Sequence, residues 1–230
     1  QGVVQSFEKA VELYTMAAEQ GDVKAMYNLG CMYRDGQGVV QSFEKAVELF
    51  TMAAEKGDAD AMSNLGVLYQ NGQGVVQSFK KAVELFTMAA EKGHVKAMYN
   101  LGILYEDGKG VVQSFKKAVE LFTMAAEKGH VNAMINLGVL YIRGHGVDQS
   151  NELAREWWTK AANEGHEGAI ENLKRLDKNE GKPTTTPPSP TASSPPPSIC
   201  CSSCNTPQPS GHTFQKCKGC RTVQYCNKEC

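Results

Sequence analysis

The sequence predicts an all-α chain built as an αα-hairpin repeat solenoid of five 36-residue units. Three observations predict it. The hexapeptide Gly-Val-Val-Gln-Ser-Phe starts at Gly2, Gly38, Gly74 and Gly110, and a degenerate copy starts at Gly146, a period of 36 residues. A fixed period of this size marks one supersecondary unit stacked on the next. Within each period, apolar residues recur twice at helical spacing with glycines between. After residue 177 the pattern stops and the composition changes.

The first unit justifies each element in turn. Ser6 can cap a helix, because its hydroxyl accepts from free backbone N–H groups of the first turn. Phe7, Ala10, Val11, Tyr14, Ala17 and Ala18 then form one apolar face. Gly21 can take the left-handed conformation that ends a helix, and Asp22 can cap the next. Ala25, Met26, Leu29, Gly30 and Tyr33 make the second apolar face, and Gly36 and Gly38 break the chain before the next unit. Gly30, Gly66, Gly102 and Gly138 stand inside second helices, where glycine costs about 0.8–1 kcal/mol relative to alanine. Four copies imply close approach of a neighbouring helix. The fifth unit has Lys174 and Asp177 in place of the Gly and the Tyr. It therefore reads as the C-terminal cap, with a polar outer side.

The pattern Ala-x3-Leu-Gly-x2-Tyr-x2-Gly-x-Gly-Val from Ala25 to Val39, and the Ala-Ala-Glu-x-Gly ending at Gly21, resemble the Sel-1-like repeat of the tetratricopeptide-like superfamily. The resemblance covers residues 1–177 and implies protein–protein interaction and complex assembly. Family members commonly carry Asp where this chain has Ser6, Ser42, Ser78 and Ser114; either residue caps a helix.

Several residues invite sharper readings and are better explained by structure. Cys31 shares its position with Val67, Ile103 and Val139, so it reads as a small core hydrophobe. His94, His130 and His166 lie one period apart. Packed helices are about 8–10 Å apart, too far for these imidazoles to share an ion bonded at about 2.0–2.1 Å. They read as surface residues at helix starts, where the first two units have Asp22 and Asp58. No nucleophile elbow, phosphate-cradling loop or His-Glu-x-x-His is present, so no catalytic residue is assigned and the chain reads as a non-enzyme. Variation collects in the second helix, at Tyr27, Ser63, Tyr99 and Ile135 and at Arg34, Gln70, Glu106 and Ile142. That edge is the candidate partner surface.

Residues 178–199 are rich in Pro, Ser and Thr, with Pro183, Pro187, Pro188, Pro190 and Pro195 to Pro197. Such a stretch cannot bury a core and reads as a disordered linker. Residues 200–230 hold seven of the eight cysteines. Cys201-x2-Cys204, Cys217-x2-Cys220 and Cys226-x3-Cys230 suit tetrahedral thiolate ligation of zinc, and a module this small needs a metal to fold. The run from Cys217 to Cys230, with its Tyr225-Cys226-x3-Cys ending, resembles the MYND-type zinc finger. Carried over by position, that resemblance assigns Cys201, Cys204, Cys226 and Cys230 to one structural zinc. It assigns Cys217 and Cys220 to half of a second, whose remaining ligands would lie beyond residue 230. It further implies binding of proline-containing peptides.

The net charge of −1 gives no reason to expect wholesale nucleic-acid binding. No apolar run is long enough to span a bilayer. The chain opens on Gln1, so the natural N-terminus is expected upstream. Paired thiols favour the cytoplasm or nucleus. The function expected is a non-enzymatic scaffold or adaptor, with membership of a ubiquitin-ligase or other assembly, or chromatin association, as alternatives.

Overall fold

A computed structural model describes residues 6–181. They form ten α-helices of 13 residues each, α1 (Phe7–Glu19), α2 (Val23–Asp35), α3 (Phe43–Glu55), α4 (Ala59–Asn71), α5 (Phe79–Glu91), α6 (Val95–Asp107), α7 (Phe115–Glu127), α8 (Val131–Arg143), α9 (Asn151–Asn163) and α10 (Glu167–Asn179). Odd-numbered helices are the first of each unit and even-numbered ones the second. Each helix packs on the one before and the one after it in sequence, so neighbours in the chain are neighbours in space, as in a solenoid.

Local chemistry sets the boundaries. Each first helix starts at a serine cap; Ser42 Oγ, for example, accepts from the Lys45 backbone N–H at 3.2 Å. Each of the first four second helices ends at a left-handed glycine, at Gly36, Gly72, Gly108 and Gly144. The connecting loop is then pinned twice. Gln41 Nε2 donates to the Arg34 carbonyl at 2.6 Å, and the Ser42 N–H donates to the Tyr33 carbonyl at 2.9 Å. Between them Gly38, at φ 71°, lies so close to the start of α1 that a Cβ would stand 2.5 Å from the Phe7 carbonyl carbon. The glycine is therefore required both for its backbone angle and for its lack of a side chain.

The core lies mainly where a second helix meets the first helix of the following unit. Phe50, Phe86 and Phe122 are fully buried there. Each ring packs against the glycine expected to permit close approach: a Cβ on Gly30 would come within 2.7 Å of Phe50 Cε1. In the last interface the aromatic is Trp158, pressed against Gly138. Its indole N–H is satisfied by the Ile135 carbonyl at 3.1 Å, as a buried Trp requires.

The fifth unit departs from expectation in one respect. Asp177 is not on a polar outer side but is 1% exposed. Arg155 of α9 reaches it, with Nη1 2.5 Å from Asp177 Oδ1, and also holds Glu180 at 2.8 Å. Arg155 stands where the other units have Val11, Val47, Val83 and Val119. The apolar Val–Tyr pair inside units one to four is thus exchanged as a pair for Arg–Asp. Glu180 also accepts from Asn151 at 3.0 Å. With its end anchored in this way, α10 runs to Asn179, so the first two residues of the segment read as a linker are helical. Residues 182–199 of that segment, and Cys201, Cys204, Cys217, Cys220, Cys226 and Cys230, lie outside the described residues.

Candidate functional site

The candidate surface is the edge made by the second helices. Positions 24, 27, 28, 31 and 34 of α2 share one helix face, since residues three and four apart are neighbours on a helix. The same positions recur one unit further along α4, α6 and α8. Contacts between units run along this edge and differ at each step. Lys24 Nζ lies 2.7 Å from Asp58 Oδ2 and 3.5 Å from Asp60 Oδ2. His94 Nε2 meets Asp60 Oδ1 at 3.2 Å. Arg34 clasps Asp35 at 2.7 Å and donates to the Asn64 side chain. Tyr99 stacks on His130 with ring centroids 4.4 Å apart.

Electrostatics follow from these partners. The hydrogen bond that the Lys24 ammonium donates to Asp58 holds that ammonium above its ordinary pKa, and Arg34 holds Asp35 below the usual carboxylate range. Burial pushes the Tyr27 phenol up to about 12. Burial also raises Glu106 and lowers His130. Cys31 is half-buried against the core, as its aliphatic counterparts Val67, Ile103 and Val139 are. Burial raises its thiol pKa, which disfavours the reactive thiolate.

The histidines are cap residues, but half-buried rather than on the open surface. His94 and His130 accept through Nδ1 from the Ala97 and Ala133 backbone N–H groups at 3.0 and 3.3 Å. They thus do the work of the aspartates in the first two units. His166 makes no such bond, and its buried Nδ1 has no partner.

The structure places the variable residues on the second helices, although Ser63 is buried and presents no surface, and the sequence reading missed one feature. Asn28, Asn64, Asn100, Asn136 and Asn172 occupy a single position in all five units. The signal was available, because this Asn persists in the divergent fifth unit, which lacks the inner Gly and Tyr. Asn64 and Asn136 face the phenols of Tyr27 and Tyr99 in the preceding units. Asn64 Nδ2 also donates to the Asp60 carbonyl at 2.8 Å. Among the described residues, no group of three or more His, Cys, Asp or Glu side chains is placed to hold a metal ion. No described helix is long and apolar enough to cross a membrane.

The repeated glycine–aromatic lock and the capped hairpins define a helical repeat solenoid of the tetratricopeptide-like class. Residues 1–22, 23–58, 59–94, 95–130 and 131–166 match the Sel1 repeat, and the chain belongs to the Sel1 repeat family. The first matched segment holds α1, the other four begin at second helices, and α10 lies beyond the last of them. Among solved structures, a Sel1 repeat protein from Oxalobacter formigenes is 32% identical with a TM-score of 0.73, over 82% of this chain and 75% of that one. A protective antigen of uropathogenic Escherichia coli with an SLR fold is 29% identical with a TM-score of 0.76. That match covers 81% of this chain, which spans 40% of the antigen's length. Among curated proteins, no sequence matches the chain. Members of the Sel1 repeat family serve as protein-interaction scaffolds.

Proposed function

We propose that this chain is a non-catalytic adaptor whose array selects a protein partner through the second-helix edge. The observation that carries this reading is the contrast within the repeat. Caps, glycines and ring contacts are nearly uniform, while the half-exposed positions 34, 70, 106 and 142 hold Arg, Gln, Glu and Ile. A frame held constant with one varied edge presents a surface that is different at every step. The test compares the proteins captured from cell extract by the full chain and by an R34Q/E106Q/I142Q variant. That variant repeats a side chain, Gln70, that the fold already accepts. Loss of a specific partner from the variant supports the reading, and identical captured sets overturn it.

The adaptor has a second module in this reading. Residues 200–230, tethered by the Pro-rich segment, form a MYND-type finger that takes up zinc and engages proline-containing peptides. The support is the donor set: thiolate pairs at two- and three-residue gaps, Cys201 with Cys204 and Cys226 with Cys230, suit one tetrahedral ion. Cys217 and Cys220 supply two further thiolates. Two modules on one tether raise joint affinity through effective concentration. Metal content of the purified full chain, together with the visible absorption of its cobalt(II) form, tests the zinc assignment. C204S and C226S should each lose the tight site, and a wild-type chain that retains no metal would sink it.

A further inference from the structure

The second-helix edge carries a row that its varied positions do not explain. Asn28, Asn64, Asn100, Asn136 and Asn172 are half-buried on it, one in each unit. The fifth unit keeps Asn172 although it exchanges the inner Gly and the Tyr for Lys174 and Asp177. Asparagine is a poor helix former, because its side chain competes for backbone hydrogen bonds, so five copies in mid-helix need a positive reason. Two of them are occupied. Tyr27 and Tyr99 engage Asn64 and Asn136 of the next unit, and Asn64 also accepts from Arg34 and donates to the Asp60 carbonyl. The units before Asn100 and Asn172 have Ser63 and Ile135 in place of that tyrosine. Among the described residues, Asn28, Asn100 and Asn172 make no side-chain hydrogen bond, and none of their amide atoms is both buried and without a partner. Those three carboxamides are therefore open to solvent.

A carboxamide offers donors and an acceptor side by side, which complements a peptide group. A helical segment uses its main-chain groups internally, whereas an extended one leaves them free. The spacing fits as well. Arg34 reaches Asn64, and Lys24 reaches Asp60 at 3.5 Å, so second helices of adjacent units are bridged directly. A step between packed helices of about 10 Å is covered by about three extended residues at about 3.3 Å each. The Arg34–Asn64 contact also sets a register, with the varied residue of one unit beside the asparagine of the next. By that register Gln70 falls beside Asn100, Glu106 beside Asn136 and Ile142 beside Asn172. A side chain that differs at every step thus accompanies an amide that does not. Charge does not choose the occupant, because Arg34 is already paired with Asp35; the open amides do.

We propose that the asparagine row of the second helices holds the main chain of an extended segment of a partner protein. Asn28, Asn100 and Asn172 pair with its N–H and C=O groups, and the varied residues beside the row read its side chains. The inference rests on the scaffold reading and deepens it by naming the form of the partner: an extended stretch laid along the array, not a helix or a folded face. The constant amides supply affinity for any such chain, and the varied neighbours supply selectivity.

The test selects a random library of peptides of about 12 residues, the length that spans the row at about 3.3 Å per residue, on the full chain. Enriched peptides are then synthesised and titrated. N100A/N172A should weaken their binding roughly tenfold, through the loss of two carboxamide partners. Neither asparagine makes a side-chain hydrogen bond among the described residues, so this variant should unfold in urea no earlier than wild type. Methylating single peptide N–H groups leaves the protein untouched and keeps every peptide side chain; it should weaken binding at the positions that meet the row. Failure to enrich any peptide would overturn the proposal. So would equal affinity of every enriched peptide for wild type and N100A/N172A, or indifference of binding to N-methylation. If the peptides lose affinity for R34Q/E106Q/I142Q but not for N100A/N172A, main-chain recognition fails while the second-helix edge stands as a partner surface.

Discussion

Replacing Gly66 by alanine tests the packing that joins one unit to the next. A Cβ at Gly66 would lie 2.7 Å from Phe86 Cε1, 2.9 Å from Cδ1 and 3.2 Å from Cζ. The ring is fully buried, so it has no open space to move into. Overpacking of this kind costs about 1–3 kcal/mol. Alanine's better helix propensity returns about 0.8–1 kcal/mol, leaving a net loss of about 0–2 kcal/mol. The decisive measurement is the double-mutant cycle with F86A, followed by urea unfolding and by amide exchange in α4 and α5. F86A alone should cost about 3–5 kcal/mol. In that background the methyl group has room, and G66A should become stabilising by about 0.8–1 kcal/mol. This change of sign is the signature of a glycine kept for ring contact. If G66A has the same effect with and without the Phe86 ring, the reasoning is refuted.

Three further outcomes are expected. S78A removes the acceptor for the Lys81 backbone N–H, 3.3 Å away, and should cost about 1 kcal/mol in urea unfolding. R155V leaves Asp177 buried without this partner and should cost about 3 kcal/mol, the low end for a broken buried pair, because Arg155 is 26% exposed; R155V/D177Y restores the Val–Tyr pair of the other units and should recover most of that loss. His130, whose pKa burial lowers, adds stability that is present above its unfolded pKa of about 6.5 and lost as pH falls through the lower folded value. In H130D, which copies the caps at Asp22 and Asp58, a melting-temperature series from neutral to mildly acidic pH should lose that part of the decline.

Much of the scaffold was legible before any coordinates. The serine and aspartate caps, the left-handed glycines and the two apolar faces depend on interactions within a few residues, and each appears where the spacing places it. Copying one unit also makes neighbours in the chain neighbours in space. The inner glycines could be assigned to close approach, although only the folded chain shows that the neighbour is Phe50, Phe86, Phe122 or Trp158. The candidate edge was legible only as a set of varying positions. Its Asn row was visible in the alignment of the units and was passed over, because uniformity among near-identical copies carries little information unless the divergent fifth unit shares it.

By itself, the sequence determined the helices, their ends and the order in which they stack, because capping, glycine conformation and helical periodicity act over single turns. Tertiary structure decided the pairings that cross between helices. It buried Asp177 under Arg155, residues that lie 22 apart in the chain, and it placed the Lys45, Lys81 and Lys117 ammonium groups over the rings of Tyr33, Tyr69 and Tyr105. Those outcomes depend on which side chain lies opposite once the helices pack, and on whether a charge left there finds a partner.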